Sequence, residues 1–325
     1  MSCSNRYACT QVPTRAAVVK RFLLVTGLMA TIFVPCSRAQ TTTDHDTIPA
    51  QLVLKGQQAT CGGAGHKTFE IEMKEVRVQL SDDIQTEAWT FNGTVPGPVL
   101  EACVGDAVTI RLTNHGSMAH GLDTHAFRIN PKKFGPVPPG GTLDIDATVT
   151  TPGVFMYHCA AGEMTDQHIK MSMSGAMIVY PRDVTFAQAR ELVVVQGAAY
   201  GDPDDQGVIK PDSRRMETSS PALYFFNGRL DHKAVSLKAG ERVRVYFLNT
   251  SPFPSSLHVI GTILDVAHAS GNPANTLSGV QTFGVEDGNG AIVEFTAPEA
   301  GTYLLVDHDH LAYLPTGFVL PLSAQ

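Results

Sequence analysis

The segment Phe91-Asn92-Gly93 returns as Phe226-Asn227-Gly228, 135 residues later, and it does not return alone. The same offset carries Gly105-Asp106 onto Gly240-Glu241 and Asn114 onto Asn249. It also carries Val108, Ile110 and Leu112 onto Val243, Val245 and Phe247, alternating with Thr109 and Arg111 in one copy and with Arg244 and Tyr246 in the other. Period-two alternation bounded by Gly and Asn marks a half-buried strand. A weaker echo pairs Thr151–Phe155 with Ala300–Leu304, each after an alternating run, Leu143–Val149 and Ile292–Phe295. Short strands separated by turn signals make sandwiches or barrels. The repeat length is that of one domain, so the 325 residues read as an all-β chain of two tandem β-sandwich domains. The junction falls near Arg182-Asp183, giving domains over 40–182 and 183–325, with a polar arm over 40–60, a surface loop over 201–220 and a short helix over Phe186–Leu192.

Residues 1–39 read as an address. Arg15, Lys20 and Arg21 precede the apolar run Phe22–Val34, Pro35 breaks it, and Ser37-Arg38-Ala39 offers small residues before a cleavage point at Gln40. That is the pattern of a secretory signal, and the run is shorter than the roughly 20 apolar residues that span a bilayer. The expected location is the periplasm. Without this segment the chain holds 19 basic and 31 acidic residues, a net charge of −12, which argues against a nucleic-acid partner. With 43% hydrophobic and 17% charged residues the chain can still bury a core. Cys61, Cys103 and Cys159 follow the expected cleavage point, an odd number for an exported protein. Cys61 and Cys103 could pair, and the sequence alone leaves that open.

The chemistry is concentrated in a few segments. Cys159, His168 and Met173 form a Cys-x8-His-x4-Met loop at a strand end, and His120 lies in an earlier segment. A thiolate, two imidazoles and a weak thioether in a trigonal array are the ligands of blue copper, the set that suits electron transfer. Zinc rarely accepts a thioether and prefers further Cys or His. Neighbours on a strand point to opposite faces, so if Cys159 faces its own domain, His158 faces outward. The pair His120 and His125 divides in the same way. His125 and His158 are then half of a second site, which needs one more imidazole from elsewhere. Three imidazoles and an open position are a catalytic arrangement.

These residues, in this order, resemble the copper-containing nitrite reductases. The resemblance rests on Phe91–Pro98, His120, Asp123 and His125, Tyr157-His158-Cys159, His168 and Met173, then Leu257–Gly261 and Val306-Asp307-His308, and runs from about residue 65 to the C-terminus. It implies two Greek-key cupredoxin domains, a homotrimer and two coppers per chain. His120, Cys159, His168 and Met173 would hold the type 1 copper. His125 and His158, with His308 of a neighbouring subunit, would hold the type 2 copper, where nitrite is reduced to nitric oxide. The electron would pass between the two through the Cys159-His158 peptide. Asp123 and His258 match the family's acid/base pair, and Ile260 matches its steric gate. No haem motif or third domain is visible, so a separate cytochrome c or small blue copper protein is the expected electron donor.

Three segments depart from the family pattern. Ala126–Lys133 replaces a small, Gly-rich stretch, and Asp309–Pro315 replaces an aromatic followed by Lys-Gly-Ala. Ala160–Gln167 carries Glu163 and Asp166 in place of apolar residues and proline, which puts charge where a donor would dock. Two other readings compete. A two-domain multicopper oxidase needs several His-x-His pairs for a trinuclear cluster, and His308-Asp309-His310 is the only one in the chain. A copper electron carrier would need neither His125, His158 and His308 nor Asp123 and His258.

Overall fold

In the computed structural model, which describes residues 61–325, both copies of the Phe-Asn-Gly unit form the same turn. Asn92 and Gly93 have φ of 57° and 74°, and Asn227 and Gly228 of 49° and 66°. Successive left-handed residues suit a tight reversal between strands, and Asn followed by Gly supplies them at least steric cost. Each Asn side chain also reaches into a neighbouring strand. Asn92 Oδ1 accepts the Glu72 N–H at 2.7 Å, and Asn227 Oδ1 accepts the Val195 N–H at 2.7 Å. Asn114 and Asn249 form a second matched pair. Asn114 Nδ2 donates to the carbonyls of Met118 and Val137, and Asn249 Nδ2 to those of Phe253 and Val285. The repeated Asn side chains therefore satisfy backbone groups where the strands turn.

Each copy builds a two-sheet sandwich, the all-β architecture expected from the repeat and of the cupredoxin type that the family resemblance implies. In the first, Gln85–Phe91, His66–Gln79, Ala107–Asn114 and Thr142–Thr148 lie side by side, facing a sheet of Leu100–Cys103, Ser174–Tyr180, Gly153–His158 and Asp123–Thr124. Ile71, Phe91, Ile110, Leu112, Ile145, Tyr157 and Met177 fill the space between. In the second, Leu223–Phe226, Arg190–Ala199, Arg242–Asn249, Gly290–Thr296, Leu264–Ala269 and Thr276–Val280 form one sheet. Val235–Leu237, Leu320–Ala324, Gly301–Asp307, Ser255–Ile260 and Phe283–Val285 form the other. Sheet neighbours are seldom chain neighbours, because the chain crosses repeatedly between the two sheets of each sandwich.

A third apolar cluster joins the sandwiches. Val154, Met156, Ala176 and Ile178 turn their backs on the first core and meet Val193, Val195, Tyr246, Leu248 and Ile292. This contact corrects the expectation of a half-buried strand in the second copy. Arg111 of the first copy lies at the surface, paired with Glu70 and Asp144, whereas Arg244 of the second copy is fully buried. Arg244 lies between Glu191 at 2.8 Å and Glu294 at 2.6 Å, with the Phe186 ring 4.5 Å from its guanidinium carbon.

The same guanidinium explains a second correction. Phe186–Leu192 is not a helix. Arg244 Nη2 donates to the Ala187 carbonyl at 2.7 Å, and Arg190, Glu191 and Leu192 pair with Val243, Arg244 and Val245 as the start of a strand. Part of the polar stretch 201–220 is also ordered. Val208 and Ile209 are buried and pair in parallel with Gln85 and Thr86 of the first sandwich, and Asp212 caps a short helix, Ser213–Glu217. Cys61 and Cys103 are joined in a disulfide, which leaves Cys159 as the free cysteine among the described residues. The leader expected over 1–39 and the arm over 40–60 lie outside the described residues.

Replacing Arg244 with Leu strands two buried carboxylates. Breaking a buried ion-pair triad in this way costs about 3–5 kcal/mol. Urea unfolding of Arg244→Leu should show a loss of that order, and wild-type stability would refute the role given to the triad.

Candidate metal centre

The strand Gly153–His158 delivers its last residues to two different places. Phe155 and Tyr157 pack with the first core, Val154 and Met156 with the contact between sandwiches. Continuing that alternation, Cys159 belongs to the core and is fully buried, while His158 lies on the opposite face. Cys159 Sγ is 3.1 Å from His168 Nδ1 and 3.7 Å from His120 Nδ1, and the two nitrogens are 3.2 Å apart.

Three neighbouring segments bring these atoms together. His120 is bridged to Val137 by a reciprocal pair of backbone hydrogen bonds, and Asn114 ties down the same loop. His168 sits on the short helix Thr165–Lys170. Met173, buried in the same core, accepts the Cys159 N–H at its carbonyl and donates its own N–H to the His168 carbonyl. The Gly121 N–H donates to Cys159 Sγ at 3.3 Å. A Cβ on Gly121 would come within 2.7 Å of the Ala160 carbonyl oxygen, so only glycine permits this approach.

The electrostatics suit a soft cation. Burial pushes the Cys159 thiol up to about 12, against the pull of the Gly121 and Ala160 N–H groups. Burial, with His120 close by, pushes His168 down to about 4, so its imidazole is neutral with a lone pair at neutral pH. A metal must therefore displace the thiol proton, the usual coupling of metal binding to proton release. One sulfur and two imidazole nitrogens converging in a buried pocket, with a methionine from the same loop, fit copper by donor chemistry.

Two residues that the sequence reading missed hold the imidazoles from behind. Glu75 Oε1 lies 3.0 Å from His120 Nε2, and Trp89 packs edge-on to His168 with ring centroids 4.4 Å apart. Glu75 and Trp89 are direct partners across their strands. Burial pushes the Glu75 carboxyl up, but the Ser117 N–H and His120 outweigh it and hold it below the ordinary value. The signal was available, since Glu75 follows Ile71 and Met73 in phase on a core-facing strand.

The remaining site residues form two further groups. His158 is buried and its ring lies 5.3 Å from that of His125, centroid to centroid. His158 Nδ1 donates to the Cys159 carbonyl at 3.0 Å, which leaves Nε2 as its free nitrogen. Burial and the nearby His158 push the His125 pKa below its ordinary value. Asp123, half-buried, is the cross-strand partner of His158.

His258 and His308 come together elsewhere, their ring centroids 5.9 Å apart. His258 Nδ1 donates to the Gln281 carbonyl at 2.7 Å, and Ile260 is exposed two residues further along the same strand. His308 is exposed at the start of the 3-10 segment His308–Thr316. Its buried neighbour Asp307 accepts hydrogen bonds from Gln196, Ser256, Asp309 and His310. Among the described residues only His120, Cys159 and His168 gather as a three-donor group, so one chain does not bring His308 to His125 and His158.

Comparisons with known proteins agree with the donor chemistry. A family model described as multicopper oxidase matches residues 72–184. A copper-containing nitrite reductase of Neisseria gonorrhoeae is 32% identical over 250 residues, 74% of this chain and 63% of that protein. The chain thus spans just under two thirds of the length of that curated relative. The solved copper nitrite reductase of Nitrosomonas europaea superposes with a TM-score of 0.73 at 32% identity, over 80% of this chain and 94% of that one. A solved multicopper oxidase superposes with a TM-score of 0.72 at 23% identity, over 85% of this chain and 96% of that one, a likeness of fold.

Two outcomes follow from this geometry. Copper-loaded Cys159→Ser should lose its visible thiolate-to-copper absorption; a retained band would remove Cys159 from the ligand set. In metal-free protein the unfolded chain takes up the His168 proton near pH 6.5, before the folded chain does near 4. Stability should therefore fall as pH drops through that window, and the fall should be smaller in His168→Gln. An equal fall would show that other groups carry the effect.

Proposed function

Since this chain belongs to the copper-containing nitrite reductase family, we propose that it reduces nitrite to nitric oxide, using copper and electrons from a separate donor protein. One observation carries the proposal: adjacent residues His158 and Cys159 serve two different histidine groups on opposite faces of one strand. The reaction consumes one electron and two protons, NO2− + e− + 2H+ → NO + H2O. Copper at His120, Cys159, His168 and Met173 would carry the electron, and copper at His125 and His158, with His308 of a neighbouring subunit, would give the anion a cationic seat.

The chain's own residues account for binding and proton delivery. The fold separates the half-site His125–His158 from His308, and a homotrimer in which each half faces a neighbour completes it. Asp123, beside His158 in register, supplies a carboxyl group to the oxygen that leaves as water. His258 has its Nδ1 fixed on the Gln281 carbonyl, which leaves Nε2 to pass a proton. Ile260, exposed at the end of the same strand, would serve as a steric gate that limits the size of what reaches the copper. Export to the periplasm and a domain boundary near Arg182 belong to the same proposal. The donor is a cytochrome c or a small blue copper protein.

The oxidase reading is weakened by the fate of the only His-x-His pair. His310 Nδ1 is held on Asp307 at 2.7 Å, and its ring packs 4.3 Å from that of Tyr224, centroid to centroid. Its imidazole therefore supports the fold. Copper content separates the readings: about two per chain for the reductase, one for a carrier and four for an oxidase.

The direct test is nitric oxide release, by electrode, from copper-loaded protein given nitrite and a reduced dye without oxygen. Sustained release is expected, and silence from fully loaded protein would overturn the proposal. Asp123→Asn should keep both coppers and lose about 10²-fold or more in turnover, the usual size of a general-acid contribution. Unchanged turnover would remove its proton-donor role.

A further inference from the structure

We propose that Glu75 is a positioning residue for the buried copper centre, holding His120 through a charged hydrogen bond and lowering the centre's reduction potential. The proposal rests on the copper reading of His120, Cys159 and His168.

The geometry is specific. A carboxylate accepts only, so the proton shared with Glu75 Oε1 across 3.0 Å lies on His120 Nε2. The Nδ1 lone pair is then left facing Cys159 and His168. Glu75 is itself fixed, since the Ser117 N–H donates to both of its oxygens at 3.0 and 2.9 Å. The turn that supplies Ser117 is shaped around this contact. A Cβ on Gly116 would lie 2.7 Å from Glu75 Oε1 and 3.0 Å from the His120 ring, so any larger residue would push the two apart. The Gly116 N–H is in turn fixed on Asn114 Oδ1 at 2.8 Å.

The second imidazole has a different support. Trp89, opposite Glu75 in register, packs T-shaped against His168 with ring centroids 4.4 Å apart, and more distantly against His120 at 5.7 Å. One strand pair thus backs both histidines, but only His120 receives a charge from it. A carboxylate on the remote N–H of a ligating histidine orients the ring and raises its basicity. A more basic ligand favours the oxidised, more positively charged metal. The expected consequence is a lower potential at the centre that receives the electron, and so a larger driving force for passing it on.

The test compares the copper-loaded wild type with Glu75→Gln and Glu75→Asp, measuring copper content, visible absorption and reduction potential. Glu75→Gln keeps an acceptor but removes the charge. It should retain the visible band and show a more positive potential, while Glu75→Asp should stay nearer the wild type. Loss of the band in Glu75→Gln alone, with Glu75→Asp like wild type, would also support a requirement for the charge. Glu75→Gln with an intact band and the wild-type potential would overturn the proposal, as would loss of the band in both variants, which would reduce Glu75 to a folding role. Absence of any visible band from copper-loaded wild type would instead refute the copper assignment on which the proposal rests.

Discussion

The alternation of one strand governs the chemistry of this chain. Side chains of successive residues in Gly153–His158 leave the sheet on opposite faces, and the strand lies between its own core and the second sandwich. Its continuation sets Cys159 among buried donors and His158 beside His125. A one-residue slip would exchange the two faces and put an imidazole where the thiol belongs. Register is held on both sides, by Asp123 and Thr124 pairing with His158 and Tyr157, and by Ser174–Val179 pairing along the other edge. The ladder fixes where the donors go.

The internal repeat explains how such a strand came to have two useful faces. Two sandwiches built alike must meet somewhere, and here they meet through sheets whose outer faces carry Val154 and Met156 on one side and Tyr246 and Leu248 on the other. Burial of that face required charge to be neutralised within it. The position held by surface Arg111 in the first copy is held by buried Arg244 in the second, between two carboxylates and under Phe186. Sequence symmetry therefore ends where the copies face different surroundings.

What could be read from the sequence follows the same division. Phe91-Asn92-Gly93 and its copy gave away the strands and turns because Asn-Gly has few other uses at that position. The closeness of Cys159 and His168 was legible because both come from one loop, which needs little long-range information to bring them together. Phe186–Leu192 was misread as a helix because the interaction that decides its conformation, with Arg244, comes from 57 residues away in sequence. Val208–Ile209 was missed for a similar reason, since a two-residue strand is created by the edge it joins. Glu75 was visible as a carboxylate in phase with Ile71 and Met73, but only its distance to His120 gives that phase a meaning.

The two histidine-rich sites differ in what they require to exist. The first gathers its three donors, His120, Cys159 and His168, within one chain: they are buried, and the loop closes through backbone bonds between Cys159, His168 and Met173. A metal entering it must displace the Cys159 thiol proton, which burial holds in place. The second is open and divided, with His125 and His158 on one part of the fold and His258 and His308 on another. Under the proposed trimer its affinity for copper is tied by mass action to subunit association, while that of the first is not. Under the proposed function the division has a chemical use. A centre that only stores an electron is best closed to solvent and rigid, whereas one that must admit an anion and two protons needs an approach from outside. In the proposed trimer, building the second site at the rim between copies would supply that approach without opening the core that protects the first.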